Sequence, residues 1–124
     1  MYAEYLSYRG LTPLCVQQAH DAIRLASRAD VVVTGLLLPG PLDGYGLIES
    51  LRRDPDTRMT PIVVLTVCAW IEEEARARRA GCDVFLSKPC FPHKLFREVR
   101  RLLALRSHGS ARATRERRRH SILQ

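Results

Sequence analysis

Three short runs rich in β-branched and aliphatic residues, at 30–35, 61–67 and 82–87, divide the chain, and apolar residues recur at helical spacing between them. Val31, Val32, Val33 and Thr34 suit a strand buried on both faces, and Ile62 to Thr66 repeat the pattern. Upstream, Tyr2, Tyr5 and Leu6 predict a helix closed at Gly10, and Leu14 to Val16 a short strand. Ala19, Ala22, Ile23 and Ala26 then share one helical face. A helix over 44–53 turns Leu47, Ile48 and Leu51 inward and stops before Pro55, because proline disfavours helix in the residue ahead of it.

A further helix over 70–80 carries Glu72 and Arg76, and Glu74 and Arg78, four residues apart, with a thin apolar stripe of Ile71 and Ala75; Gly81 ends it. Pro92 suits the first turn of a last helix, on which Leu95, Val99, Leu102 and Leu103 share a face. Strands alternating with helices imply βαβ units with right-handed crossovers, hence an α/β fold with a doubly wound parallel sheet. The predicted strand ends Gly35, Thr66 and Lys88 should therefore converge at one edge, where open α/β sheets carry their sites.

The 124 residues suffice for one domain, with a core too small to divide. Residues 1–105 form that domain and 106–124 a basic tail. No apolar run approaches the roughly 18 residues of a membrane helix, and no signal-peptide order is present, so a cytoplasmic location is expected. Cys15, Cys68, Cys82 and Cys90 have no CxxC spacing and read as buried thiols. Of the net charge of +7, the segment from Arg106 onward carries +5, which leaves +2 for the body. That tail is polar and arginine-rich, and a disordered segment is the expectation. It could take up nucleic acid weakly and nonspecifically, without aromatic residues to stack bases.

The loop of Leu38, Pro39, Asp43 and Gly44, the strand-end Thr66 and the turn of Ser87, Lys88 and Pro89 occur in an order and spacing that resemble the receiver domain of bacterial response regulators, a flavodoxin-like fold. The resemblance implies phosphorelay signalling: a phosphoryl group passes from a histidine kinase to an aspartate four residues before the loop proline. That position is Gly35. By the same resemblance Thr66 and Lys88 sense the phosphoryl group, Phe85 occupies the place of a rotating aromatic switch, and the Lys88–Pro89 bond is cis. Each also has a plain structural reading, as strand end, turn anchor and packed core residue.

Three departures accompany the resemblance. The loop before Asp43 is one residue longer than usual. Receivers begin with a strand ending in an acidic pair that holds magnesium, and neither the strand nor the pair is found here, so the sheet is expected to miss its first strand and the magnesium ligands. Its loss would hold the Leu14 strand about 9–10 Å from its neighbour, twice the strand spacing. The favoured account of that gap is a reading frame that starts upstream of Met1; a slid strand or an edge left open to another chain are the others. Finally, Gly35 offers no carboxylate, and Asp43 and Asp83 read as cap and turn residues.

The function expected is thus that of a degenerate, non-phosphorylatable receiver, not an enzyme, acting through protein contacts. By resemblance its partners are a histidine kinase or another response regulator, with homodimerisation open through the face where receivers dock. The alternatives are a nucleic-acid-associated protein using the basic tail and a nonfunctional gene fragment, the latter predicting a poorly cooperative fold.

Overall fold

The computed structural model describes residues 1–67, 69–109 and 120–123. Its elements run α1 (Tyr2–Tyr8), β1 (Thr12–Cys15), α2 (Ala19–Leu25) with a 3-10 turn (Ala26–Arg28), β2 (Val31–Thr34), α3 (Gly44–Arg53), β3 (Ile62–Thr66), α4 (Ile71–Ala80), β4 (Val84–Ser87), α5 (Pro92–Gly109) and β5 (His120–Leu123). The five strands form one sheet of order β1-β5-β2-β3-β4, and every neighbouring pair is parallel.

The sheet separates two cores, as the strands' period of two requires. Val31, Val33, Val63, Leu65, Val84 and Leu86 face α1 and α5, meeting Leu6, Leu95, Val99 and Leu102. Val32, Ile62 and Val64 face the other way, onto Ala19, Ala22, Leu47, Ile48 and Leu51 of α2 and α3, with Ala77 of α4. Leu47, Ile48 and Leu51 are fully buried, each worth roughly 1.5–3 kcal/mol of transfer free energy. The inward face expected for α3 is therefore the one observed.

The sheet corrects the expectation of an unfilled strand position. Among the described residues α1 is the first element, and the slot between β1 and β2 is occupied: β5 pairs with Thr12–Cys15 on one side and with Val31–Val33 on the other. A slot two strand spacings wide admits one strand, and this chain places there a segment from its own far end. The unpaired gap expected beside the first strand is therefore filled by residues 120–123. The tail expectation changes with it. Residues 107–109 extend α5 and 120–123 are strand, whereas the rest of the segment read as disordered and basic, 110–119 and 124, lies outside the described residues.

Smaller differences have local causes. The first strand is Thr12–Cys15, which starts two residues earlier and ends one earlier than predicted, and each of its four residues pairs with β5. Pro13 is tolerated there, since β1 is an edge strand and one side of it needs no donor. Ile71, read as part of an inward stripe, is 85% exposed, and Ala77 is the α4 residue that is buried. Arg78 pairs with Glu74 at 3.0 Å as expected, but the Arg76 guanidinium lies over the Tyr45 ring, 3.9 Å from its centroid. Cys82 and Cys90 are buried, Cys15 is exposed, and Cys68 lies outside the described residues.

Candidate functional site at the carboxyl edge of the sheet

Parallel pairing brings the carboxyl ends of β2, β3 and β4 to one edge. Thr34 pairs with Val64, and Thr66 with Ser87, so Gly35, Thr66 and Lys88 sit at successive strand ends, as the chain's pattern implied. The Lys88 N–H donates to the Thr66 carbonyl at 2.8 Å, tying the last two ends together. Thr66 is buried and Lys88 exposed. The Lys88 ammonium lies 5.9 Å from the centroid of the Tyr2 ring, and the Lys88–Pro89 peptide is cis.

Gly35 has room for a side chain. A Cβ built there would lie 3.7 Å from the Leu65 carbonyl oxygen and 3.9 Å from Leu38 Cδ2, both ordinary contacts. Gly44 has none, because its own Cβ would run into the backbone of Gly35 and Leu36. Its N–H donates to the Leu36 carbonyl at 2.9 Å, which docks the start of α3 on the end of β2. Asp43 caps that helix, accepting from the Gly46 N–H at 2.9 Å. Pro39 stands exposed in the loop between.

The remaining predicted residues lie away from this edge. Phe85 is in mid-β4 opposite Val64, half-buried against the core beneath α2 and α3. Asp83 sits at the opposite edge, accepting from the Ile62 N–H at 2.8 Å and pairing with Arg52 at 2.9 Å.

Pattern reading missed two groupings. Around the edge, the connections leaving β2, β3 and β4 each expose large apolar groups: Leu37, then Val67, Trp70 and Ile71, then Phe91, at 71–85% exposure. That they share one edge depends on strand order, which no local window contains. Between α3 and α4, the Tyr45 hydroxyl donates to the Glu73 carboxylate beneath Arg76. Burial first, and then Glu73, push Tyr45 up to about 12. Burial likewise raises Tyr2, whose hydroxyl donates to the Cys90 carbonyl at 2.8 Å, and Cys82.

The raised Tyr45 fixes the sign of a pH effect. Its folded value exceeds the ordinary phenol value of 10.0, so its stabilising contribution is complete below pH 10 and is lost as pH rises through about 12. Alkaline titration followed by phenolate absorbance should show a late phase that disappears in Tyr45→Phe.

The chain belongs to the response regulator receiver domain family, whose model matches residues 2–100. It is 35% identical over 80 residues to the response regulator Rre1 of Synechocystis sp., covering 64% of this chain and 34% of that protein. It is 33% identical over 93 residues to the DNA-binding dual master transcriptional regulator RpaA of the same organism, covering 71% of this chain and 38% of the relative. The chain thus spans about a third of the length of these two relatives.

Among solved structures, it is similar to the receiver domain of a signal transduction histidine kinase from Syntrophus aciditrophicus, at 32% identity and a TM-score of 0.74, covering 88% of this chain and 80% of the other. A receiver domain of sensor histidine kinase PA1611 from Pseudomonas aeruginosa, with a magnesium ion coordinated in its active-site cleft, matches at 28% identity and a TM-score of 0.74, covering 82% and 84%. Among the described residues no helix is long and apolar enough to cross a membrane.

Proposed function

We propose that this receiver is degenerate: it takes no phosphoryl group and acts in a two-component phosphorelay through protein contacts alone. The observation that carries the reading is the strand end beside Thr66 and Lys88, which is Gly35 and presents no nucleophile. Acyl phosphate formation needs a carboxylate oxygen in line with phosphorus and a cation to offset charge. Thr34 does not replace it, since its hydroxyl is buried and donates to the Gly35 carbonyl at 2.9 Å.

The residues present do not fit the magnesium ion found in the Pseudomonas receiver. Such an ion takes oxygen ligands, above all carboxylates. Among the described residues no group of three or more His, Cys, Asp or Glu stands together, and the Asp43 carboxylate caps α3. With no carboxylate at the end of β2, the Lys88 ammonium stands near the Tyr2 ring.

The partners proposed are a histidine kinase or another response regulator. The exposed Leu37, Val67, Trp70, Ile71 and Phe91, which follow the ends of β2, β3 and β4, support contact-based signalling, because apolar groups left in water at one edge favour a partner's surface.

Acetyl phosphate with magnesium should leave the intact mass of the protein unchanged. One stoichiometric, acid-labile adduct overturns the proposal. Gly35→Asp should fold, given the space around that position, yet remain unphosphorylated until magnesium ligands are supplied as well.

A further inference from the structure

We propose that the slot between β1 and β2 is a strand-docking site, and that its occupant, residues 120–123 of the same molecule, is a separately releasable part of the fold. In the order β1-β5-β2-β3-β4, β1 reaches the rest of the sheet only through β5, whereas β2, β3 and β4 pair with one another without it. Withdrawing β5 therefore unzips β1 and one side of β2 and leaves the β2-β3-β4 pairing in place. The amino-terminal part of the molecule also keeps α1 packed on α5 through Leu6 and its partners in the first core.

The position of α5 favours an occupant from the same molecule. Arg106 on α5 donates to the Asp30 carbonyl at 2.9 Å, and the next residue, Val31, pairs with Ser121. The end of α5 thus already lies beside the entrance of the slot. Ten residues, 110–119, join Gly109 to His120 in the sequence, and tethering within one chain holds a strand at a local concentration on the order of millimolar.

The consequence for the carboxyl edge is direct. β5 runs parallel to β1 and β2, so its far end lies between the connections that leave those two strands, residues 16–18 and 35–43. The second of these contains Gly35, Pro39 and the Asp43 cap. Release of β5 frees one flank of that edge and bares the side of β2 that β5 had paired with.

Two experiments on the full chain test this. Cys15 pairs with Leu123, and paired positions on neighbouring strands lie about 4.8 Å apart, inside the roughly 4.4–6.8 Å a disulfide spans. Leu123→Cys, oxidised by copper–phenanthroline, should give a monomer in which proteolytic mapping joins Cys15 to the introduced thiol. A disulfide-linked dimer through the same positions shows exchange between copies, and no link at that pair shows an empty slot; either overturns the proposal.

The second experiment uses Ile122→Pro and amide hydrogen exchange. The Val32 N–H donates to the Pro61 carbonyl, so alternation along a parallel strand turns Val31 and Val33 toward β5. Their amides should exchange about tenfold faster or more, while Val32 and the β3–β4 amides stay protected. Equal loss at all of these positions, or none, overturns the claim that β5 is released separately.

Discussion

Gly44→Ala should destabilise the fold by about 3 kcal/mol, the upper end for a close-packed site forced to accept one extra methyl group. The new Cβ would stand 2.8 Å from the Leu36 Cα and would collide with the Gly35 carbonyl. Both obstacles are backbone, so no rotamer change relieves them. Moving α3 away would break the Gly44 N–H bond to the Leu36 carbonyl and lift Leu47, Ile48 and Leu51 from the core. Urea unfolding should show a lower midpoint with little change in slope. A shift below about 0.5 kcal/mol, the ordinary range for surface changes, would show that the helix start is not docked as described. The same close approach accounts for the Asp43–Gly44 pair: one residue caps the helix and the other lets it reach the strand end.

Arg52→Ala is the second large effect, at about 2–3 kcal/mol for losing several charge-assisted hydrogen bonds that share one side chain. Its guanidinium donates to the Gly81 carbonyl at 3.0 Å, the Arg58 carbonyl at 2.9 Å, the Thr60 carbonyl at 2.7 Å and the Asp83 carboxylate at 2.9 Å. One planar group thereby ties the exit of α3 to the segment before β3 and to the turn before β4. The Gly81 backbone has φ of 125°, a conformation side chains resist, and its open side faces the Arg52 stem. Arg52→Lys should recover little of the loss, because one ammonium cannot serve four acceptors arranged around a planar fork. Equal unfolding midpoints for the lysine variant and the wild type would show that charge alone suffices there.

Neither of these residues touches Thr66 or Lys88, yet both act on the scaffold that aligns the strand ends. The receiver fold is a signalling scaffold, and in this chain the proposed loss of phosphoryl chemistry leaves that scaffold intact. Gly35 is the clearest case. The alanine test that fails at Gly44 has room at Gly35, so the absent carboxylate is a matter of residue identity and not of crowding.

Local pattern alone determined a good deal. The runs around Val32, Val64 and Val84 announce buried strands, because a strand covered on both faces has no polar side to alternate with. The stripes of Leu47, Ile48 and Leu51, and of Leu95, Val99 and Leu102, announce helices by a spacing that only a helix brings to one face. From those elements follow the parallel sheet and the convergence of Gly35, Thr66 and Lys88, while residue identity alone shows that position 35 carries no carboxylate.

Tertiary structure decided the rest. Strand β5 offers only Ile122 and Leu123 behind a run of arginines, too short for any period to register, and its partners are more than a hundred residues away at β1. Its strand character comes from backbone pairing on both sides, and a ladder partner leaves no mark in the local sequence. Arg52 and Arg76 look like surface charges on helices until the carbonyls around Gly81 and the ring of Tyr45 are placed beside them. Hydrophobic burial has a periodicity that can be read along the chain, whereas hydrogen bonds and strand pairing across the chain depend on which distant segments the fold brings together.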